Sequence, residues 1–197
     1  MLATPATSIV CIPYLKDSAC DELLEQLDAA PWTEGRIALP SDSAGIAQDI
    51  RGCRINHHIP DQFVAAITET LLTLNAEQFG FDIAGWDDTD PICGMRYDVG
   101  DHFDWHIDNS VLTAPFGTRK LAFTVQLTSP ETYRGGDLEF GMYHGGYNTE
   151  AVDTQGELTR QRGALVVFAA FQLHRIAPVT LGTRTALVGW LHGPAFR

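Results

Sequence analysis

From Phe81 to the C-terminus the chain is written in short runs of β-branched, aromatic and other apolar residues, each stopped by Gly, Pro, Asn or Asp. Runs of that length and composition form strands rather than helices. They place strands near 81–86, 92–98, 102–108, 119–128, 136–141, 164–170, 173–179 and 183–191. A set of about eight strands following two helices predicts a mainly β double sheet, a jelly roll, with the helices buttressing one sheet. The stretch 141–162 is Gly-rich and polar and reads as a long loop or hairpin.

Before Phe81 the period is different. Ile9 to Tyr14 is an apolar run suited to an opening strand. Asp17 or Ser18 can cap a first helix whose stripe is Cys20, Leu23, Leu24 and Leu27, with Pro31 as its stop. A second helix opens at Pro60-Asp61, carries Phe63, Ile67, Leu71 and Leu74 at helical spacing, and closes at Gly80. Between them, 33–52 reads as loop and Arg51 to Ile59 as a strand. At 197 residues one domain is expected over 1–197, with 1–80 as helical buttress and 81–197 as the jelly-roll core.

Charge narrows the partners. With 13 basic and 25 acidic residues the net charge is -12, which repels polyanions and argues against nucleic acid. No apolar run is long enough to span a bilayer, so no membrane partner is expected. The four cysteines, Cys11, Cys20, Cys53 and Cys93, form no CxxC pair and read as buried thiols in a cytoplasmic protein.

The chemistry concentrates in Met95–Asn109. Read as a strand, Phe103, Trp105 and Ile107 share one face, while His102, Asp104, His106 and Asp108 share the other. An imidazole and a carboxylate two residues apart on one face are two corners of a metal site. A second imidazole would complete the facial 2-His-1-carboxylate triad of non-haem Fe(II) oxygenases. Alone, His-x-Asp is also what the polar face of a half-exposed strand looks like. His174 lies between two strongly apolar segments, and Arg184 opens an apolar strand face continued by Ala186, Val188 and Trp190. A guanidinium there needs a carboxylate or another anion, because burying it unpaired is costly. His57 and His58 are adjacent and would point to opposite faces; His102, His144 and His192 read as exposed or loop residues.

Taken together, Tyr97, Gly100, Phe103, His106 and Asp108, then Gln126-Leu127-Thr128, then Gly135-Gly136-Asp137-Leu138, then His174, Arg184 and Trp190 resemble, in order and spacing, the iron(II)/2-oxoglutarate-dependent oxygenases of the prolyl 4-hydroxylase-like branch. The resemblance runs from about residue 92 to 193, and Arg51-Gly-Cys-Arg54 is similar to the Arg-containing strand before the second helix. It implies a double-stranded β-helix. It implies that His106, Asp108 and His174 bind Fe(II), that Arg184 pairs with the far carboxylate of 2-oxoglutarate, and that Tyr97, Gln126 and Trp190 line the cosubstrate pocket. Gln126 departs from the pattern, standing where the branch often has Tyr. O2 is the further cosubstrate and ascorbate an accessory reductant.

The resemblance implies hydroxylation of an unactivated C–H bond with conversion of 2-oxoglutarate to succinate, and the carboxylate at Asp108 favours this over halogenation. The primary substrate is expected to be an amino-acid or peptidyl, prolyl-type side chain; the same chemistry on a small-molecule metabolite is the alternative. A non-catalytic metal- or ligand-binding jelly roll is the reading of a different class. The sequence carries no signal for oligomeric state.

Overall fold

The computed structural model describes residues 9–35, 50–109, 118–144, 148–152 and 156–195, without the side chains of 142–157. The sequence offers 33–52, 109–118 and 141–162 as loops for substrate contacts, and of these 36–49, 110–117, 145–147 and 153–155 lie outside the described residues.

In order, the elements are β1 (Ile9–Pro13), α1 (Asp17–Asp28), β2 (Thr33–Glu34), β3 (Arg51–Gly52), β4 (Arg54–Asn56) and α2 (Asp61–Leu74), the last running into a π-turn at Asn75–Phe79. Then come β5 (Cys93–Tyr97), β6 (His102–His106), β7 (Arg119–Gln126), β8 (Arg134–Gly135), β9 (Leu138–His144), β10 (Asn148–Val152) and α3 (Gly156–Arg160). The chain finishes with β11 (Ala164–Ala169), β12 (His174–Ile176), β13 (Val179–Leu181) and β14 (Arg184–His192).

These strands form a major sheet in the order β1-β11-β7-β14-β5-β4-β2 and a minor sheet in the order β10-β9-β12-β6-β3, with β13 and β8 as a separate pair. All pairings between the named strands are antiparallel. The expected double-stranded β-helix is present, but the boundary at residue 80 does not divide it. β1, β2 and β4 extend the major sheet, and β3 edges the minor one. The chain crosses between sheets at Cys53, so Arg51–Ile59 is two short strands rather than one.

The major sheet is buried on both faces, which is why β7, β11 and β14 read as nearly continuous apolar runs. Leu121, Phe123, Val125, Leu165, Val167, Leu187 and Leu191 meet Cys20, Leu23, Leu27, Phe63, Ile67 and Leu71 of the helices. On the other face Ala122, Val166, Phe168, Met95 and Tyr97 look toward the minor sheet. Docking, rather than intrinsic propensity, holds α2. Its Thr68, Thr70 and Thr73 each turn a hydroxyl back onto the carbonyl four residues earlier, a weak helix habit. Burying Phe63, Ile67 and Leu71 contributes roughly 1.5–3 kcal/mol each, which outweighs that propensity deficit of a few tenths per residue. Buried Asn56 ties α1 to β4 by donating to Leu27 O at 2.7 Å and Ala30 O at 3.0 Å, carbonyls a helix end leaves unpaired.

Three sequence expectations are corrected here. No strand forms at 81–86; only Gly85 makes a bridge, to His192. The expected strand 173–179 divides at Pro178 into β12 and β13, which belong to different sheets. The first helix is entered through Lys16, with Asp17 in its first turn rather than capping it. The stretch 141–162 contains the end of β9, β10 and α3, and its hairpin form agrees with the expectation.

At the turn into β9, Gly135 and Gly136 both adopt positive φ, +69° and +66°. A Cβ on Gly136 would sit 2.9 Å from Val179 Cγ2 and 3.1 Å from Arg184 Cδ. Gly136→Ala therefore combines left-handed strain with overpacking, at a cost of about 2 kcal/mol or more. Urea unfolding of the variant should show that loss, together with an altered environment at Arg184.

Candidate metal centre and cosubstrate cavity

The site begins as a strand register. β12 pairs with β6 so that His174 stands opposite His106, while Ile176 pairs with Phe103 rather than Asp104. Two residues of β6 therefore oppose the single Arg175, a β-bulge. The bulge overturns strict alternation. Phe103 and His106 both line the interior cavity, with ring centroids 3.6 Å apart and planes within 13°. Trp105 turns to the opposite face, against Gly141 and under the Arg175 guanidinium. Asp108 follows the end of β6 and is placed by the turn, not by the pleat.

His106, Asp108 and His174 offer ligand atoms within 4.8 Å of one another. Asp108 Oδ1 is 3.7 Å from His106 Nε2, and Oδ2 is 3.6 Å from His174 Nε2. Each ring places Nδ1 against a backbone carbonyl, Asp104 O at 2.7 Å and Gln172 O at 2.9 Å. An Nδ1–H donated there leaves both Nε2 lone pairs aimed into the cavity, the orientation a metal ligand requires. Asp104 thus serves the site through its main chain. The donor set fits a divalent transition metal with open coordination positions.

Burial, and next the neighbouring His174, push His106 down to about 3, so its ring is neutral at ordinary pH. For Asp108, burial acts to raise the carboxyl. The two imidazoles, the Arg119 guanidinium and a hydrogen bond from the Trp190 side chain outweigh it and hold the group below its usual value.

The same cavity is lined by Met95, Tyr97, Thr124, Leu138, Ile176, Arg184, Val188 and Trp190. Arg184 opens β14, is 3% exposed, and pairs with no carboxylate among the described residues. The Thr124 hydroxyl is also buried there without a hydrogen-bond partner among the described residues. Tyr97 is fully interior, its hydroxyl donating to Met95 Sδ at 3.4 Å, and burial raises its pKa. Gln126 is not among the cavity-lining residues; its Nε2 donates to Thr128 O at 3.1 Å and its Oε1 is unpaired.

Further charged groups surround the site. Arg51 lies over Phe103 at 4.9 Å and donates to Cys53 Sγ at 3.1 Å. Arg119 opens β7 and binds Asp90 through Nε and Nη2, both at 2.6 Å. His192, expected in a loop, ends β14 and places Nε2 3.1 Å from Asp90 Oδ2. Applying to Arg119 the argument already made for Arg184, that an Arg opening an apolar strand needs a partner, would have found this network. His57 and His58 are exposed and His102 is half-buried.

A double antiparallel sheet enclosing a two-histidine, one-carboxylate cluster beside a buried guanidinium that meets no carboxylate among the described residues is an arrangement suited to a metal-dependent enzyme of the oxygenase type. The 2OG-Fe(II) oxygenase superfamily matches residues 94–192, and the chain belongs to it. A PKHD-type hydroxylase of Xanthomonas campestris is 31% identical over 187 residues, 90% of this chain and 75% of that protein. Two solved structures share the fold. A Pseudomonas putida prolyl-4-hydroxylase has a TM-score of 0.66 at 20% identity, over 95% of this chain and 94% of that one. A prolyl hydroxylase from Trichoplax adhaerens, in complex with a hypoxia inducible factor oxygen degradation domain peptide fragment, has a TM-score of 0.67 at 18% identity, over 94% of this chain and 83% of that one. The protein is a 2-oxoglutarate-dependent hydroxylase of this superfamily, and its fold is the one those two prolyl hydroxylases share. No described helix is long and apolar enough to cross a membrane.

The depressed His106 pKa has a consequence for the metal-free protein. An unfolded imidazole takes a proton below about pH 6.5, whereas folded His106 resists protonation down to about 3. The unfolded chain then binds more protons in that window, so stability falls as pH falls through it. Urea midpoints measured on metal-stripped protein across this range should decline less steeply in His106→Gln than in the wild type.

Proposed function

We propose that the chain hydroxylates an unactivated C–H bond of an amino-acid or peptidyl side chain, with Fe(II) held by His106, Asp108 and His174 and 2-oxoglutarate held by Arg184. The carrying observation is the convergence, in one cavity, of the ligand cluster and a buried guanidinium with no protein carboxylate to pair with among the described residues. When bound, iron and 2-oxoglutarate supply O2 activation, inserting one oxygen atom into the substrate while 2-oxoglutarate leaves as succinate and CO2; ascorbate serves as accessory reductant.

The residues divide the work. The two imidazoles, locked by their Nδ1 contacts, and the Asp108 carboxylate would hold the metal with three ligands, a set that leaves coordination positions open. Arg184 offers its fork to the distal carboxylate of the cosubstrate, and the Thr124 hydroxyl is placed to add a hydrogen bond. Tyr97 can turn its hydroxyl from the weak Met95 sulfur acceptor to a carboxylate oxygen. Phe103, Leu138, Ile176, Val188 and Trp190 keep the cavity dry. Gln126 shapes the wall from behind by fixing the end of β7. A peptidyl or amino-acid substrate is supported by the relatives: one solved structure is a prolyl-4-hydroxylase and the other holds a peptide fragment.

Under anaerobic conditions, adding Fe(II) and then 2-oxoglutarate to metal-free protein should produce the weak visible charge-transfer band of a chelated 2-oxo acid. His174→Ala should lack it while remaining folded by circular dichroism. A wild-type protein without the band would leave a binding jelly roll as the better reading. Arg184→Ala should raise the 2-oxoglutarate concentration needed for half-maximal band intensity by roughly thirtyfold or more, corresponding to about 2 kcal/mol for truncating one partner of a buried charge pair. An unchanged requirement would remove Arg184 from the cosubstrate site.

A further inference from the structure

Behind Asp108 lies a second charged assembly that the ligand set does not require. Arg119, at the start of β7, lies flat on Trp190 with its guanidinium carbon 3.6 Å from the ring centroid. Trp190 in turn lines the same cavity wall as Asp108. Asp90 grips Arg119 from the other side through two 2.6 Å bonds. His192 closes the group, with Nε2 3.1 Å from Asp90 and Nδ1 3.0 Å from the Thr118 hydroxyl. The Arg119 and Asp90 side chains are 12% and 7% exposed, so neither charge is relieved by bulk water.

The decisive distance is the remaining one. Arg119 Nη1 is 3.8 Å from Asp108 Oδ1, an ion-pair separation but beyond hydrogen-bond reach. Among the described residues, Asp90 and Asp108 are the carboxylates within ion-pair distance of this guanidinium. Both compete for it, and the geometry awards its two best-aligned donors to Asp90. An Asp108 carboxylate bonded directly by Arg119 would lose lone-pair density that a metal needs and would be turned from the two Nε2 atoms. A buried guanidinium that loses its bidentate partner must find another, and Asp108 is a small side-chain movement away.

We infer that Asp90 is a positioning residue for the metal ligand Asp108: it holds the Arg119 guanidinium on the face of Trp190 and off the Asp108 carboxylate, keeping that carboxylate free for the metal. Trp190, fixed in rotation by the stacked guanidinium, then keeps its place beside Asp108 in the cavity wall. The inference rests on the reading of His106, Asp108 and His174 as metal ligands. It assigns to Asp90, sixteen residues before the nearest ligand and on no strand, a function in metal binding.

The test is Mn(II) titration of the metal-stripped full chain by calorimetry, with urea unfolding alongside. Asp90→Asn should weaken Mn(II) binding by about 10–100-fold, the usual range for removing an outer partner of a metal ligand. Adding Arg119→Gln to Asp90→Asn should recover most of that affinity, although it removes still more contacts, because no guanidinium is left to occupy Asp108. A merely structural Asp90–Arg119 pair gives the opposite order, the double variant binding no better than the single. The inference is overturned if Asp90→Asn stays within roughly threefold of wild type, well short of that range, or if the double variant binds as weakly as the single. Should Asp90→Asn alone fail to fold, the double variant carries the test. Affinity near wild type supports the inference, and a loss of more than about tenfold overturns it. Wild-type protein that binds no Mn(II), or a His174→Ala variant that binds it equally well, overturns the metal-centre reading itself, and is distinguished from failure at Asp90 by the wild-type and His174→Ala titrations alone.

Discussion

The pairing of β12 with β6 is the contact on which the site depends. It sets His174 opposite His106 and draws the two rings to a centroid separation of 4.2 Å. A slip of one residue would reverse the faces of β12 and send His174 outward. The slip is resisted by what surrounds the pair. β9 holds the other edge of β12 with His174 opposite Phe140 and Ile176 opposite Leu138. Beneath, the major sheet supplies Phe168, whose ring meets His174 edge-on at 4.7 Å. The helices stabilise that sheet from outside, so the hydrophobic buttress and the candidate metal centre are linked through β7, β11 and β14.

Two arginines show how burial forces a charge into one of two outcomes. Arg119 and Arg184 each open an apolar strand, and the two strands are antiparallel neighbours, so the guanidinium groups sit at opposite ends of one strand pair. Arg119 is neutralised within the protein by Asp90. Arg184 faces the cavity without a carboxylate among the described residues. A buried cation left without an internal partner is a place where an anionic ligand gains more than it loses in desolvation. The contrast also explains why the diglycine turn is close-packed: a side chain at Gly136 would displace the stem of Arg184.

Much of the architecture was legible in the residue pattern. The two helices stand where the 3.6-residue stripes of Leu23–Leu27 and Phe63–Leu71 place them. Most expected strands are present, because runs such as Leu165–Phe168 are long enough to cross a sheet and too short for a helix. The misreadings have local causes. Residues 81–86 carry strand-like composition, but Phe81 and Trp86 are used to pack on the helices. Segment 173–179 contains Pro178, which interrupts pairing and lets the chain leave one sheet for the other. A bulge carries no mark in composition, so alternation placed Phe103 on one face with Trp105 rather than with His106.

The sequence by itself determined the donor types and their order, His106, Asp108, His174 and Arg184, and the apolar runs that oblige a double sheet. Those are properties of spacing and side-chain chemistry, and they survive any uncertainty about where a strand ends. Tertiary structure decided which face of β6 looks inward, which carbonyl orients each imidazole, which arginine is paired within the protein, and that Asp90 and His192 stand behind Asp108. Each of these depends on contacts between segments far apart in the chain, Asp90 with His192 and Arg119 among them, and such contacts arise only when packing brings the segments together.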